Sequence, residues 1–357
     1  MVEEKDNLNM LDLMLRPGFC VRDGRIIKVN QAAEGYFLSV GMELASLLQT
    51  GAEEYREFTG GCLYLTLLIS GHRIGASVTR MQDVDIFLLD QDTDNRELQL
   101  LALAARELRE PLSGVMIQAE TLACYIAQEQ DLNLKEKTAK LNRGLFQMLR
   151  IIGNMSDANR YMGVSRQELI TVSEEFNEIF EKAQAMIART GVRLIFHGLK
   201  EPLFSMGDKE QLERAVLNIL SNALKFTPKD GTIEASLTRR GQMLRLTVED
   251  SGSGMEETVR ANVFHRYLRQ LTIEDSRCGV GLGMVLIRSA AANHGGTVLI
   301  DHPEGKGTRI TMTMAIRPNT DSALRSPGIQ VDYAGGHDHA LLELSESLPF
   351  SLYETEI

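Results

Sequence analysis

The stretch Leu217-Asn218-Ile219-Leu220-Ser221-Asn222-Ala223-Leu224-Lys225-Phe226-Thr227 decides how this chain folds. Its apolar spacing predicts a helix over residues 208–226, and on that helix Asn218, Asn222 and Lys225 share one face. Two amides and an ammonium projecting together suit a hydrated divalent cation and phosphate oxygens. Taken alone, such a face is a weak signal.

Its weight comes from two glycine runs further on. In Glu249-Asp250-Ser251-Gly252-Ser253-Gly254-Met255 an acidic residue precedes alternating glycines. The Asp250 carboxylate can accept a hydrogen bond from an adenine amino group while Gly252 and Gly254 let the backbone close around the ring. Gly279-Val280-Gly281-Leu282-Gly283-Met284 then opens an apolar helix over 284–291, whose free amides and dipole point at an anion.

In this order the elements closely resemble the ATP-binding domain that histidine kinases share with gyrase. The asparagine box falls at 218–227 and the Asp-x-Gly-x-Gly box at 250–254. Phe264 fits the phenylalanine box, residues 279–283 the end of the glycine lid, and Gly305-Lys306-Gly307-Thr308 the last glycine element. Ala291-Ala292-Asn293-His294-Gly295-Gly296-Thr297 fits the histidine-kinase branch in particular. The resemblance implies Mg-ATP as the cofactor, with Asn222 coordinating magnesium, Asp250 reading adenine and Lys225 meeting phosphate. Asn218, Gly252, Gly254, Gly279, Gly281, Gly283 and Thr308 complete the implied site, and residues 255–283 form its lid.

Upstream, the period changes to that of a coiled coil. Leu98, Leu101, Ala105, Leu108, Leu112, Val115, Ala119, Leu122 and Ile126 alternate spacings of three and four, and a second seam runs through Leu134, Leu141, Leu145, Met148, Ile152 and Met155. Two such helices joined by a short turn predict a hairpin that needs a partner hairpin, giving a dimeric four-helix bundle. Ala105-Arg106-Glu107-Leu108-Arg109-Glu110-Pro111-Leu112 resembles the family's phosphoacceptor motif, His-Glu-Leu-Arg-Thr-Pro-Leu, with Arg106 in place of the histidine and Glu110 in place of the threonine. Glu107 retains the position of the base. An imidazole offers a neutral nitrogen lone pair near pH 7; a guanidinium is always protonated and offers none. Arg106 is therefore not a phosphate acceptor, and the chain has no histidine between His72 and His197 to replace it. Arg106 and Glu110, four apart on an exposed face, are expected to form a surface ion pair.

Four regions follow: 8–91, 92–165, 166–317 and 318–357. In the first, Asp23-Gly24 between two short apolar runs predicts a hairpin. Helical stretches at 31–37 and 44–48 and strands at 63–69, 74–80 and 84–90 follow. That order, closed by Asp90-Gln91-Asp92-Thr93, resembles a PAS sensor domain and implies an unknown small ligand. His72 reads as a surface residue rather than a haem ligand. Residues 92–165 are the hairpin. Mixed strands and helices over 166–317 predict an α/β sandwich with helices on one face, so the whole is a multidomain α+β chain. The acidic tail, 318–357, is expected to be flexible, with a short docking helix at 341–344.

A net charge of −11, no tryptophan and 6% aromatic residues argue against nucleic acid as a partner. The start, Met-Val-Glu-Glu-Lys-Asp-Asn, is not a signal peptide, and the longest apolar run, 62–69, does not span a membrane, so the expected compartment is the cytoplasm. Cys20, Cys62, Cys124 and Cys278 lie apart and read as reduced thiols.

Three functions remain open. One is a two-component histidine kinase acting in trans, with a response regulator or a partner histidine kinase and a homodimeric or heterodimeric hairpin. Another is a pseudokinase, an ATP-dependent scaffold. The third is a serine/threonine protein kinase on the same ATPase fold. His265, His337 and His339 are weighed as unusual acceptors and read as surface histidines.

Overall fold

Asp23 and Gly24 both take positive φ, 49° and 72°, the backbone a tight hairpin turn demands. Strand β1 (Gly18–Arg22) thereby returns as β2 (Arg25–Val29). In this computed structural model residues 11–12, 14–127, 131–161, 166–261, 263–264, 281–303, 307–317 and 333–354 are described. After β2 come single 3-10 turns at Gln31–Tyr36 and Leu44–Ser46, shorter than the helical stretches expected there, and helix α1 (Ala52–Glu57). Strands β3 (Cys62–Ile69), β4 (His72–Met81) and β5 (Val84–Leu89) complete an antiparallel sheet in the order β2-β1-β5-β4-β3. Phe19, Val21, Leu63, Leu65, Val78 and Phe87 bury one side of it, with Phe19 and Phe87 stacked at 4.7 Å.

Helices α2 (Asp92–Ala127) and α3 (Leu132–Arg160) form the hairpin. Asp131 caps α3, its carboxylate accepting from the N–H groups of Asn133 and Leu134 at 2.9 and 3.2 Å. The first heptad seam divides between two surroundings. Leu98, Ala105, Leu112, Ala119 and Ile126 are buried, whereas Leu108, Val115 and Leu122 are about half exposed, as are Leu141 and Met148 on α3. From Leu108 onward every second position of the seam thus faces away from the chain's own core, whereas Leu101 still packs against it.

The remaining elements in chain order are β6 (Glu168–Thr171), α4 (Val172–Ile187), β7 (Arg193–His197), β8 (Phe204–Gly207), α5 (Lys209–Phe226), β9 (Thr232–Arg240), β10 (Met243–Asp250), α6 (Glu257–Ala261), α7 (Leu282–Asn293), β11 (Val298–Asp301), β12 (Arg309–Ala315) and α8 (His339–Glu343). Strands β11-β12-β10-β9-β7 form a mixed sheet, parallel only at β7–β9, and β6 pairs with β8 separately. Strand β8 has no counterpart in the sequence reading, because its buried positions are Ser205 and Gly207 while Phe204 is exposed, so no apolar alternation marks it. Helices α4, α5 and α7 cover one face through Phe176, Phe180, Leu212, Ile219 and Ile287, which meet Ile233, Leu246 and Ile310.

Two features join parts that the sequence presents as separate. Strand β3 pairs antiparallel with β11, Tyr64 opposite Val298 and Cys62 opposite Ile300, so the first and third regions share one ten-stranded sheet. Arg288 meets Asp90 at 2.5 Å beside this seam, and Arg240 and Arg245 both reach Glu57. Residues 333–354 are packed, contrary to the expectation of a flexible tail. Leu341, Leu342, Leu344, Leu348 and Tyr353 are buried, and the docking helix expected at 341–344 lies at His339–Glu343. Among the described residues no helix is long and apolar enough to cross a membrane.

His294, which ends α7, is buried with both ring nitrogens engaged. Nε2 accepts from the Asp208 N–H at 2.9 Å and Nδ1 lies 2.7 Å from the Ala290 carbonyl, an arrangement that requires a neutral ring protonated at Nδ1. Burial pushes its pKa below the ordinary 6.5. The unfolded chain therefore binds the proton first, so stability is highest above about pH 6.5 and falls as the pH drops towards the folded value. Urea denaturation between pH 7.5 and 5.5 is expected to show this slope, and His294→Asn to flatten it.

Candidate functional site

Helix α5 carries the asparagine box because one face is apolar. Leu212, Val216, Ile219 and Ala223 are buried, which turns Asn218, Asn222 and Lys225 towards a cavity. Asp208 caps the helix by accepting from the Gln211 N–H at 3.1 Å. Asn218 is almost completely buried: its Nδ2 donates to the Arg214 carbonyl at 2.9 Å, while its Oδ1 has no hydrogen-bond partner among the described residues. A buried amide oxygen without a donor is costly, and a ligand or cation supplies the missing partner. A Cβ on Gly283 would stand 2.7 Å from that oxygen, so only glycine leaves the approach open.

Asp250 ends β10, and its Oδ1 accepts from the backbone N–H of Gly252 at 2.9 Å and of Thr308 at 3.3 Å. Burial raises its carboxyl above the ordinary range; those two N–H groups pull it partly back. With Oδ1 committed, Oδ2 is the oxygen left to read a ligand's amino group. Gly307 has φ +114°, and a Cβ there would lie 1.8 Å from the Asp250 carbonyl oxygen, which places Thr308 directly over the aspartate.

These residues surround one cavity of about 150 Å³, lined by Asn218, Asn222, Lys225, Asp250, Gly281, Gly283 and Thr308. Met255, Val263, Met284 and Ile310 form its apolar side, suited to a flat ring. Gly281 and Gly283 bring the N-terminus of α7 to it. Gly252 and Gly254 shape the loop beneath without lining the space. Phe264 is buried against Tyr64 of β3, with ring centroids 5.4 Å apart. Gly279, His265, Cys278, Gly305, Lys306 and most of the expected lid lie outside the described residues.

Three polar lining residues were not anticipated from the sequence: Arg150 and Asn154, from hairpin helix α3, and Glu346, from the tail. Arg150 and Asn154 stand four apart on a helix, a spacing that marks a shared face, but nothing local shows that this face meets α5. Arg106 and Glu107 are exposed on α2 and do not line the cavity. The expected Arg106–Glu110 pair is absent among the described ion pairs, which agrees with the small gain such an exposed contact offers. His339 is engaged with Glu213 at 2.8 Å and His337 lies against Phe146, so both belong to the packed tail.

Residues 207–318 match the family described as histidine kinase-, DNA gyrase B- and HSP90-like ATPase. An alignment of 273 positions, covering 70% of the chain, is 29% identical to the adaptive-response sensory kinase SasA of Crocosphaera subtropica and spans 69% of that protein. The sensor histidine kinase CusS of Escherichia coli is 27% identical over 63% of this chain, which spans less than half, 46%, of its length. Among solved structures, full-length ShkA in complex with AMPPNP aligns over 62% of this chain and 46% of its own, at 20% identity and a TM-score of 0.50, a likeness of fold.

Gly307→Ala is expected to lower the unfolding free energy by about 1–3 kcal/mol in urea denaturation, because it forces a methyl group against the Asp250 carbonyl at a left-handed backbone position.

Proposed function

We propose that this chain is a histidine kinase of the sensor type, a reading supported by its match to the ATPase family and its likeness to sensory kinases, and that it binds Mg-ATP in the cavity between α5, β10 and α7 and transfers the γ-phosphoryl group in trans to a histidine of another protein. The observation that carries the nucleotide reading is the Asn218 Oδ1, which has no partner among the described residues and is buried at a cavity that Asn222, Lys225, Asp250 and Thr308 also line. Asp250 Oδ2 accepts from the adenine amino group, the apolar wall takes the ring, and the Lys225 ammonium faces phosphate. The amide oxygens of Asn222 and Asn218 fit a hard, oxygen-preferring cation. Magnesium, when bound, neutralises charge on the phosphate oxygens.

The direction of transfer follows from Arg106. Its side chain is exposed on α2 where an acceptor would stand, and a guanidinium has no lone pair for an incoming phosphorus. The acceptor therefore belongs to a different molecule, a partner histidine kinase or a component that passes the group to a response regulator. The same substitution favours a second reading, a nucleotide-dependent scaffold without transfer.

Residues 8–91 serve as a PAS-like sensor for a small ligand, a reading supported by the strand order β2-β1-β5-β4-β3. The exposed row Leu108, Val115, Leu122, Leu141 and Met148 supports a second hairpin as the partner of the first.

Incubation with γ-labelled ATP is expected to leave the wild-type chain unlabelled and to place an acid-labile label on Arg106→His. Label on the wild type would overturn the argument from Arg106, and acid-stable label would point to serine or threonine. Binding of ATP without transfer to any candidate partner would select the scaffold. Sedimentation is expected to show a dimer that Leu108→Glu with Val115→Glu converts to monomer at micromolar concentration.

A further inference from the structure

The tail brings two carboxylates to residues that line the cavity. Glu343, at the end of α8, is completely buried: Oε1 accepts from Arg214 Nε at 3.1 Å, and Oε2 from Arg150 Nε at 3.1 Å and from Asn218 Nδ2 at 3.3 Å. Three residues on, Glu346 Oε2 accepts from Lys225 Nζ at 2.8 Å, and its Oε1 lies 3.3 Å from Arg150 Nη1. Glu346 itself lines the cavity. Lys225, the ammonium given above to phosphate, is thus held by an acceptor-only group, and Asn218 is fixed through its Nδ2 with its Oδ1 left towards the cation. Carboxylate oxygens satisfy such donors as phosphate oxygens do.

The segment is seated by more than charge. Asp338 caps α8 by accepting from the Leu341 N–H at 2.9 Å. On α3, Arg143 donates to the carbonyls of Ser345 and Glu346, Gln147 to that of Ser345 and Asn142 to that of Tyr353. Tyr353 packs on Phe146, their centroids 5.2 Å apart. Burial alone would raise the Glu346 carboxyl, but Arg150 and Lys225 outweigh it and hold the group below its ordinary range, charged at neutral pH. The open volume of about 150 Å³ is below the roughly 300–1,000 Å³ of pockets that enclose a whole small-molecule ligand.

We propose that residues 338–353 carry an internal ligand of the phosphate end of the cavity, Glu346, which occupies Lys225 and Arg150 until a nucleoside triphosphate displaces it, while Glu343 stays on Arg214. The proposal rests on the ATP-site reading and adds its regulation. Because the two occupants share donors, the factor by which the segment weakens ATP binding is the factor by which ATP weakens the segment's docking. Adenosine, which has no phosphate, leaves the segment in place. Any partner that draws the segment off α3 and α5 raises nucleotide affinity.

The test is calorimetric titration of the full chain and of Glu346→Gln with Mg-ATP and, separately, with adenosine, together with hydrogen exchange of amides 339–353. Glu346→Gln is expected to bind Mg-ATP about three to ten times more tightly, as the fraction of open sites rises, with adenosine affinity unchanged. In the wild type, saturating Mg-ATP is expected to speed exchange in 339–353 and adenosine is not. Equal Mg-ATP affinity in both proteins, with exchange unaltered, overturns the proposal and leaves the ATP site standing. Failure of both folded proteins to bind either compound overturns the ATP site and the proposal with it. Glu343→Gln is not needed for the test, since it leaves two buried guanidinium groups short of charge and endangers the fold.

Discussion

A guanidinium with no exposed surface stands at the centre of this molecule. Arg214, on α5, is held by Asp157 and Asn154 of α3, by Glu343 of the tail and by the ring of Tyr333, 4.3 Å from the guanidinium carbon. A buried cation is tolerated only when its partners are in place, and loss of one costs about 3–5 kcal/mol. Hairpin, nucleotide helix and tail therefore converge on one charge. The packing of each against the others is a condition for burying it rather than a consequence of general apolar attraction. Arg150 doubles the constraint by sharing Glu343 and reaching Glu346.

The parts legible in the sequence are those whose chemistry is local. The asparagine face of α5 follows from a period of 3.6, the β1–β2 turn from Asp23-Gly24, and the glycines around Asp250 from the close approach of backbone to backbone. Each involves residues whose spacing alone determines who meets whom. Neither the pairing of β3 with β11 nor the insertion of Glu343 beside Asn218 has such a signature, for the partners stand 234–238 and 125 residues apart. Charge gave a further misdirection: the acidic tail reads as solvated chain, yet two of its carboxylates are the groups that dock it. Strand β8 escaped because its alternation carries no apolar signal, with Phe204 exposed and Ser205 and Gly207 buried.

The heptad seam illustrates how a sequence can be read correctly in kind and still leave the geometry open. Nine positions repeat as a coiled coil should, but in the folded chain the a-type and d-type rows part company. Leu98, Ala105, Leu112, Ala119 and Ile126 are spent within the chain, and Leu108, Val115 and Leu122 are left over. Periodicity reports that a row is apolar, not which of two neighbours covers it.

The shared ladder between β3 and β11 has a consequence for any dissection of this molecule. Cutting the chain between its first and third regions uncovers two strand borders at once, one bearing Cys62 and Tyr64, the other Val298 and Ile300. Unpaired N–H and C=O groups on a flat apolar strand invite pairing with another copy of themselves. Each severed half is then a self-templating surface, and the intact polypeptide protects its own solubility by keeping the two borders clasped.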